Sequence, residues 1–74
     1  MTPTEKIKLL QPGNVFYGYE DVKTHVVNIF QDGEETIITY KQWIKRWKCY
    51  VYTSDRLSRM MSDPYIRPTK QRKK

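Results

Sequence analysis

A chain of 74 residues has room for one small domain, burying only about 60% of the surface its unfolded form exposes, which leaves little for a deep catalytic cleft. At 38% hydrophobic and 14% aromatic residues it is too apolar to be wholly disordered, and its one cysteine, Cys49, rules out an internal disulfide and with it a stapled secreted mini-protein. The net charge of +6 is unevenly carried: residues 1–39 hold three basic and six acidic side chains, residues 40–74 eleven basic and two acidic.

Residues 1–11 read as an N-terminal extension, polar with a short apolar patch at Ile7, Leu9 and Leu10 that suits a helical turn or a docked strand. The start MTPTEKIKLLQPG lacks the long apolar centre of a signal peptide. The longest apolar run, Cys49-Tyr50-Val51-Tyr52, falls far short of the roughly 18 residues a membrane span needs. A soluble, cytoplasmic protein with no membrane partner is expected.

Pro12-Gly13 opens a β domain over residues 12–63. Asn14 to Tyr19 is rich in β-branched and aromatic residues and predicts a strand, with Gly18 marking a bulge or a close approach. KTHVVNIF and ETIITY flank Asp32-Gly33, a dipeptide that accepts positive φ, and predict a hairpin. Centring the turn on Asp32-Gly33 pairs Ile29 with Thr36, Val27 with Ile38 and His25 with Tyr40 on the expected core face.

Residues 41–48, KQWIKRWK, suit a helix through Trp43, Ile44 and Trp47 or a strand through Trp43 and Trp47. The run WKCYVYT predicts a last strand, with Trp47, Cys49 and Val51 inward, Trp47 plugging the core, and Lys48, Tyr50 and Tyr52 outward. Ser54 is placed to cap a short helix from Asp55 to Met61, ended by Pro64. Residues 64–74 read as a basic tail, mobile from residue 66 onward, because its cations have no acidic neighbour and only Ile66 is large and apolar.

The pattern predicts a mainly β fold. A small SH3-like antiparallel barrel, with a short C-terminal helix and a disordered basic tail, is the economical arrangement because closure hides the sheet edges. An α+β arrangement with residues 41–48 helical is the alternative. PGNVFYG, the DG hairpin and the aromatic strand ending in YVYTSDRL resemble, over residues 12–61, the small SH3-like barrel proteins encoded by tailed bacteriophages. Most of these have no assigned activity. The resemblance implies a phage accessory protein with host factors among its partners, and it carries over no functional residue.

Catalysis finds little to work with. Cys49 and His25 are both expected on the inner face, but a free cysteine is commonly a small buried hydrophobe and a lone strand histidine is commonly structural. No catalytic residue is assigned. No paired Cys or His has metal-ligand spacing, and Asp32, Glu34 and Glu35 read as a solvated turn rather than a calcium loop. Gly13, Gly18 and Gly33 lie in separate segments, so no phosphate loop forms and no cofactor is expected.

What remains is cations interleaved with flat rings: Lys41, Trp43, Lys45, Arg46, Lys48, Tyr50, Tyr52, Arg56 and Arg59. Arg67, Lys70, Arg72, Lys73 and Lys74 add an electrostatic arm. That combination neutralises phosphates and stacks bases. The expected function is non-enzymatic binding of nucleic acid or a nucleoprotein with little base specificity. The alternative is a phage-encoded protein-binding module that docks on a host enzyme and modulates it, with the same aromatics as hot spots.

Overall fold

The protein, seen in a computed structural model, is described over residues 1–70. Its first element is helix α1, Pro3–Leu9, and local chemistry starts it: the Thr2 side chain accepts from the Glu5 amide while the Glu5 carboxylate accepts from the Thr2 amide. Pro3 occupies the first turn, where its missing N–H costs nothing. The helix delivers Leu10, fully buried, to the core. The segment thus takes the helical of the two conformations its sequence suits.

Four strands follow, β1 (Val15–Tyr17), β2 (Lys23–Asp32), β3 (Glu35–Ile44) and β4 (Cys49–Arg56), then helix α2 (Leu57–Ser62). They form one antiparallel sheet in the order β1-β2-β3-β4. The fold is mainly β, as expected, but the sheet is open. Among the described strands β1 pairs with β2 and β4 with β3, and β1 and β4 do not pair with each other in a closed barrel.

The β2–β3 hairpin exists, with its turn one residue later than the sequence suggests. Asp32 pairs with Glu35, so the central residues are Gly33 and Glu34. Gly33 alone takes positive φ, +64°, which is the geometry of a turn with glycine at its first central position rather than its second. The register moves accordingly, and Ile29 faces Ile38 instead of Thr36.

A bulge between Val26 and Asn28 then changes the face parity of β2. Thr24 and Val26 point to the core before it and Ile29 after it, while His25, expected inside, lies on the other face and Val27 is exposed. Gly18, read as a bulge or close approach, falls just after β1 in the loop to β2, and the bulge of the sheet lies at Val27.

Residues 41–44 complete β3 and residues 45–48 form the turn into β4, which excludes the helical alternative for this stretch. Trp47 sits in that turn, 63% exposed, so it is not the core plug. Cys49 is exposed as well. Ser54 does not cap a helix, because β4 runs on through Arg56 and the Ser54 hydroxyl lies 2.9 Å from that of Thr39 across the sheet. Helix α2 starts at Leu57 with no side-chain cap.

One face of the sheet is covered. Leu10, Phe16, Val26, Ile38, Met60 and Ile66 are buried together, with Leu9, Ile29, Tyr40, Leu57 and Met61 packed around them. Each such side chain contributes about 1.5–3 kcal/mol on full burial, so a handful of them carries this small domain. Lys6 ties the two helices, its ammonium donating to the carbonyls of Met61 and Asp63 at the end of α2.

The segment after α2 is part of the fold up to Arg67, a correction to the mobile tail expected from residue 66. Ile66 is buried, and Tyr17 and Arg67 exchange two backbone hydrogen bonds of 2.8 and 3.0 Å along the outer edge of β1. Burial of Ile66 supplies the apolar contribution that the charged composition of the tail conceals.

Candidate functional site

Alternation along the paired strands brings one set of side chains to the uncovered face. Val15, His25, Lys41 and Tyr52 form one row across it. Tyr17 with Lys23 on one side, and Trp43 with Tyr50 on the other, lie in the next. Phe30, Ile37 and Arg56 follow nearer the hairpin tip. Among the described residues no helix covers this face.

Tyr50 is the hub of the face. Its ring meets that of Trp43 edge-to-face at 5.1 Å between centroids and that of His25 at 5.9 Å, and the Lys41 ammonium stands 4.5 Å from its centre. Each contact is worth about 0.5–1.5 kcal/mol in such geometry, so the cluster holds its own shape. With Lys41 over Tyr50, the flat surfaces beside it that are left to a partner are those of Trp43, 46% exposed, and Tyr52, 60% exposed, and Phe30 adds another nearer the hairpin tip.

Charge is graded along the strands. At one end the turn 45–48 holds Lys45, Arg46 and Lys48 in solvent, with Lys23 and Lys41 on the sheet beside it. At the other end, the hairpin tip carries Asp32, Glu34 and Glu35. The turn is closed by the amides of Trp47 and Lys48, both donating to the Ile44 carbonyl, and Lys48 takes a positive φ of 52°.

Of the residues read from the sequence as a binding surface, Lys41, Trp43, Tyr50 and Tyr52 come together on the face, and Lys45, Arg46 and Lys48 border it. Three cations are paired with carboxylates. Arg56 pairs with Glu35 at 3.1 Å, and Arg59 with Asp55 at 3.6 Å on the covered side, beside Tyr40. Arg67 pairs with Asp21 at 2.7 Å, which corrects the expectation of a tail without acidic partners. Lys70 returns to the face, in a groove with Trp43 and Lys45. Arg72, Lys73 and Lys74 lie outside the described residues.

Sequence reasoning missed His25, Tyr17 and Lys23. His25 follows from the bulge at Val27, for which the sequence carries no signal. Tyr17 and Lys23 follow from the β1–β2 pairing, which could have been sought in the alternation of NVFY against KTHV.

His25 meets the Tyr50 ring edge-to-face on the open face, whereas Cys49, the neighbour of Tyr50 in an alternating strand, belongs to the other side, so these two do not form a Cys–His pair. Among the described residues no cluster of three or more His, Cys, Asp or Glu side chains could hold a metal ion, and no helix is long and apolar enough to cross a membrane.

Away from the open face, Tyr40 and Glu5 are shifted by their surroundings. Burial foremost, then the Asp55 and Asp63 carboxylates, push the Tyr40 phenol up, while Arg59 opposes them. The hydrogen bonds from Thr2 hold the Glu5 carboxyl below its usual range.

No protein-family model matches the chain, and no curated protein or solved structure matches it either, so the chemistry of the site rests on its own geometry.

Proposed function

We propose that the protein binds nucleic acid, alone or within a nucleoprotein, through the open face of its sheet and catalyses no reaction. The observation that carries this reading is the placement of Trp43 and Tyr52, uncovered, beside Lys23, Lys41 and the basic turn 45–48, with Asp32, Glu34 and Glu35 at the far tip of the sheet. Cations supply affinity by releasing counterions, and exposed rings supply contacts indifferent to base identity.

Titration of labelled mixed-sequence DNA and RNA at several salt concentrations tests the reading. Neutralising about four or five phosphates gives a slope of log K on log salt near −3 for single strands and near −4 for duplex. No detectable binding even in about 20–50 mM salt, where the electrostatic contribution is greatest, would overturn it.

A protein partner is the second reading, favoured by β4. Its outer edge pairs with no other strand among the described residues, and such an edge accepts an added strand from a partner. Recovery of one stoichiometric protein after nuclease treatment of a lysate would select this reading. The kinship to phage-encoded SH3-like proteins belongs to the same proposal: a four-strand meander is compatible with a partly opened barrel of that type, acting in a host cytoplasm on a host enzyme.

A further inference from the structure

At the basic end of the open face, Tyr17, Lys23, Trp43, Lys45 and Lys70 line a groove of about 580 Å³, with the β1–β2 loop, including Glu20, as its other wall. That volume lies within the range of small-ligand sites. We propose that this groove holds one unpaired nucleotide of a single-stranded nucleic acid, its base against Trp43 and its flanking phosphates on Lys23, Lys45 and Lys70. The inference rests on the nucleic-acid reading and deepens it by naming the form of nucleic acid.

Three observations lead there. First, Trp43 is 46% exposed, so part of its ring is open to a ligand, whereas Lys41 already stands over the ring of Tyr50. A base inside a duplex has both faces covered by its neighbours, so only a splayed or single-stranded base can use that platform.

Second, three lysines from three separate parts of the chain meet in this groove: Lys23 from the start of β2, Lys45 from the β3–β4 turn and Lys70 from the C-terminal segment. Such convergence from distant segments differs from a solvated charge run along one element. Lys70 reaches the groove because the Tyr17–Arg67 bridge carries the chain over the β1 edge from the covered side.

Third, the acids of the groove fix an orientation rather than cancel the site. Asp21 is engaged by Arg67, and Glu20 stands on the loop wall, where it repels phosphate. The backbone of the strand therefore runs along the lysine wall, and the base turns inward to Trp43.

The test uses full-length protein carrying Trp47→Phe, which leaves Trp43 as the one tryptophan reporter while changing a residue of the turn outside the groove. A 12-nucleotide mixed-sequence DNA strand is compared with its duplex at equal salt. The expected result is quenching of Trp43 fluorescence by the single strand, bound at least about tenfold tighter than the duplex. Trp43→Ala is expected to weaken single-strand binding about 5- to 100-fold with the salt slope unchanged. Lys23→Ala and Lys45→Ala should each flatten the slope by about 0.7.

The quenching measurement stands even if Trp43→Ala misfolds. Duplex binding as tight as single-strand binding, with Trp43 emission unmoved, would overturn the groove assignment and leave the nucleic-acid reading standing. Failure of both forms to bind would overturn both.

Discussion

The guanidinium of Arg67 lies 2.7 Å from the carboxylate of Asp21, joining the C-terminal segment to the loop between β1 and β2. Both side chains are about three-quarters or more shielded from solvent, at 25% and 19% exposure, and the backbones of Arg67 and Tyr17 are bonded alongside. The pair anchors the segment that carries Lys70 to the open face.

Arg67→Ala is expected to destabilise the protein by about 1–3 kcal/mol, the cost of losing a charged hydrogen bond to a shielded carboxylate. Ile66→Ala should cost about 2–4 kcal/mol through the cavity it leaves. An Arg67→Ala urea midpoint equal to that of the parent would show that the segment is not held by this pair.

Gly33→Val should lower stability by about 1–2 kcal/mol, because a β-branched residue resists a φ of +64°. A Cβ there meets nothing within 4 Å, so the effect is conformational rather than steric crowding. Gly33→Asn, which tolerates this region, should recover most of the loss in a thermal melt.

Lys48→Gly should separate stability from binding. The lysine holds a φ of 52°, which costs an L-residue about 1 kcal/mol or more, so the glycine variant should unfold at the same or a higher temperature. Nucleic-acid affinity should fall and the salt slope flatten by up to about 0.9 as a cation leaves the turn. A fall in both melting temperature and affinity would count against an independent binding role for Lys48.

Alkaline pH should weaken the fold through Tyr40. Its proton is held more tightly in the folded protein than in the unfolded chain, chiefly through burial. The resulting stability is complete below the unfolded value near 10 and is lost as pH rises through the higher folded value. Urea midpoints from pH 8 to 11.5 should decline less steeply above about pH 10 in Tyr40→Phe than in the parent. Parallel declines would remove Tyr40 from the account.

The sequence by itself determined the mainly β class, the existence of the β2–β3 hairpin and the concentration of cations and rings after residue 40, since local conformational preference and composition decide each of these. Alternation also placed Lys41, Trp43, Tyr50 and Tyr52 on a common face once their strands were paired. Tertiary structure decided the rest. A turn one residue later and a bulge at Val27 set which side of β2 is buried, because face parity changes with a single inserted residue that has no compositional mark. The open sheet left both tryptophans outside the core, since α1, α2 and Ile66 supply the apolar cover that a closed barrel would otherwise have to draw from them. Arg56 and Arg67 looked like free cations in the chain, and folding carried a carboxylate to each from 21 and 46 residues away, separations that no local pattern encodes, whereas the Arg59–Asp55 pair spans four residues and was open to a local reading.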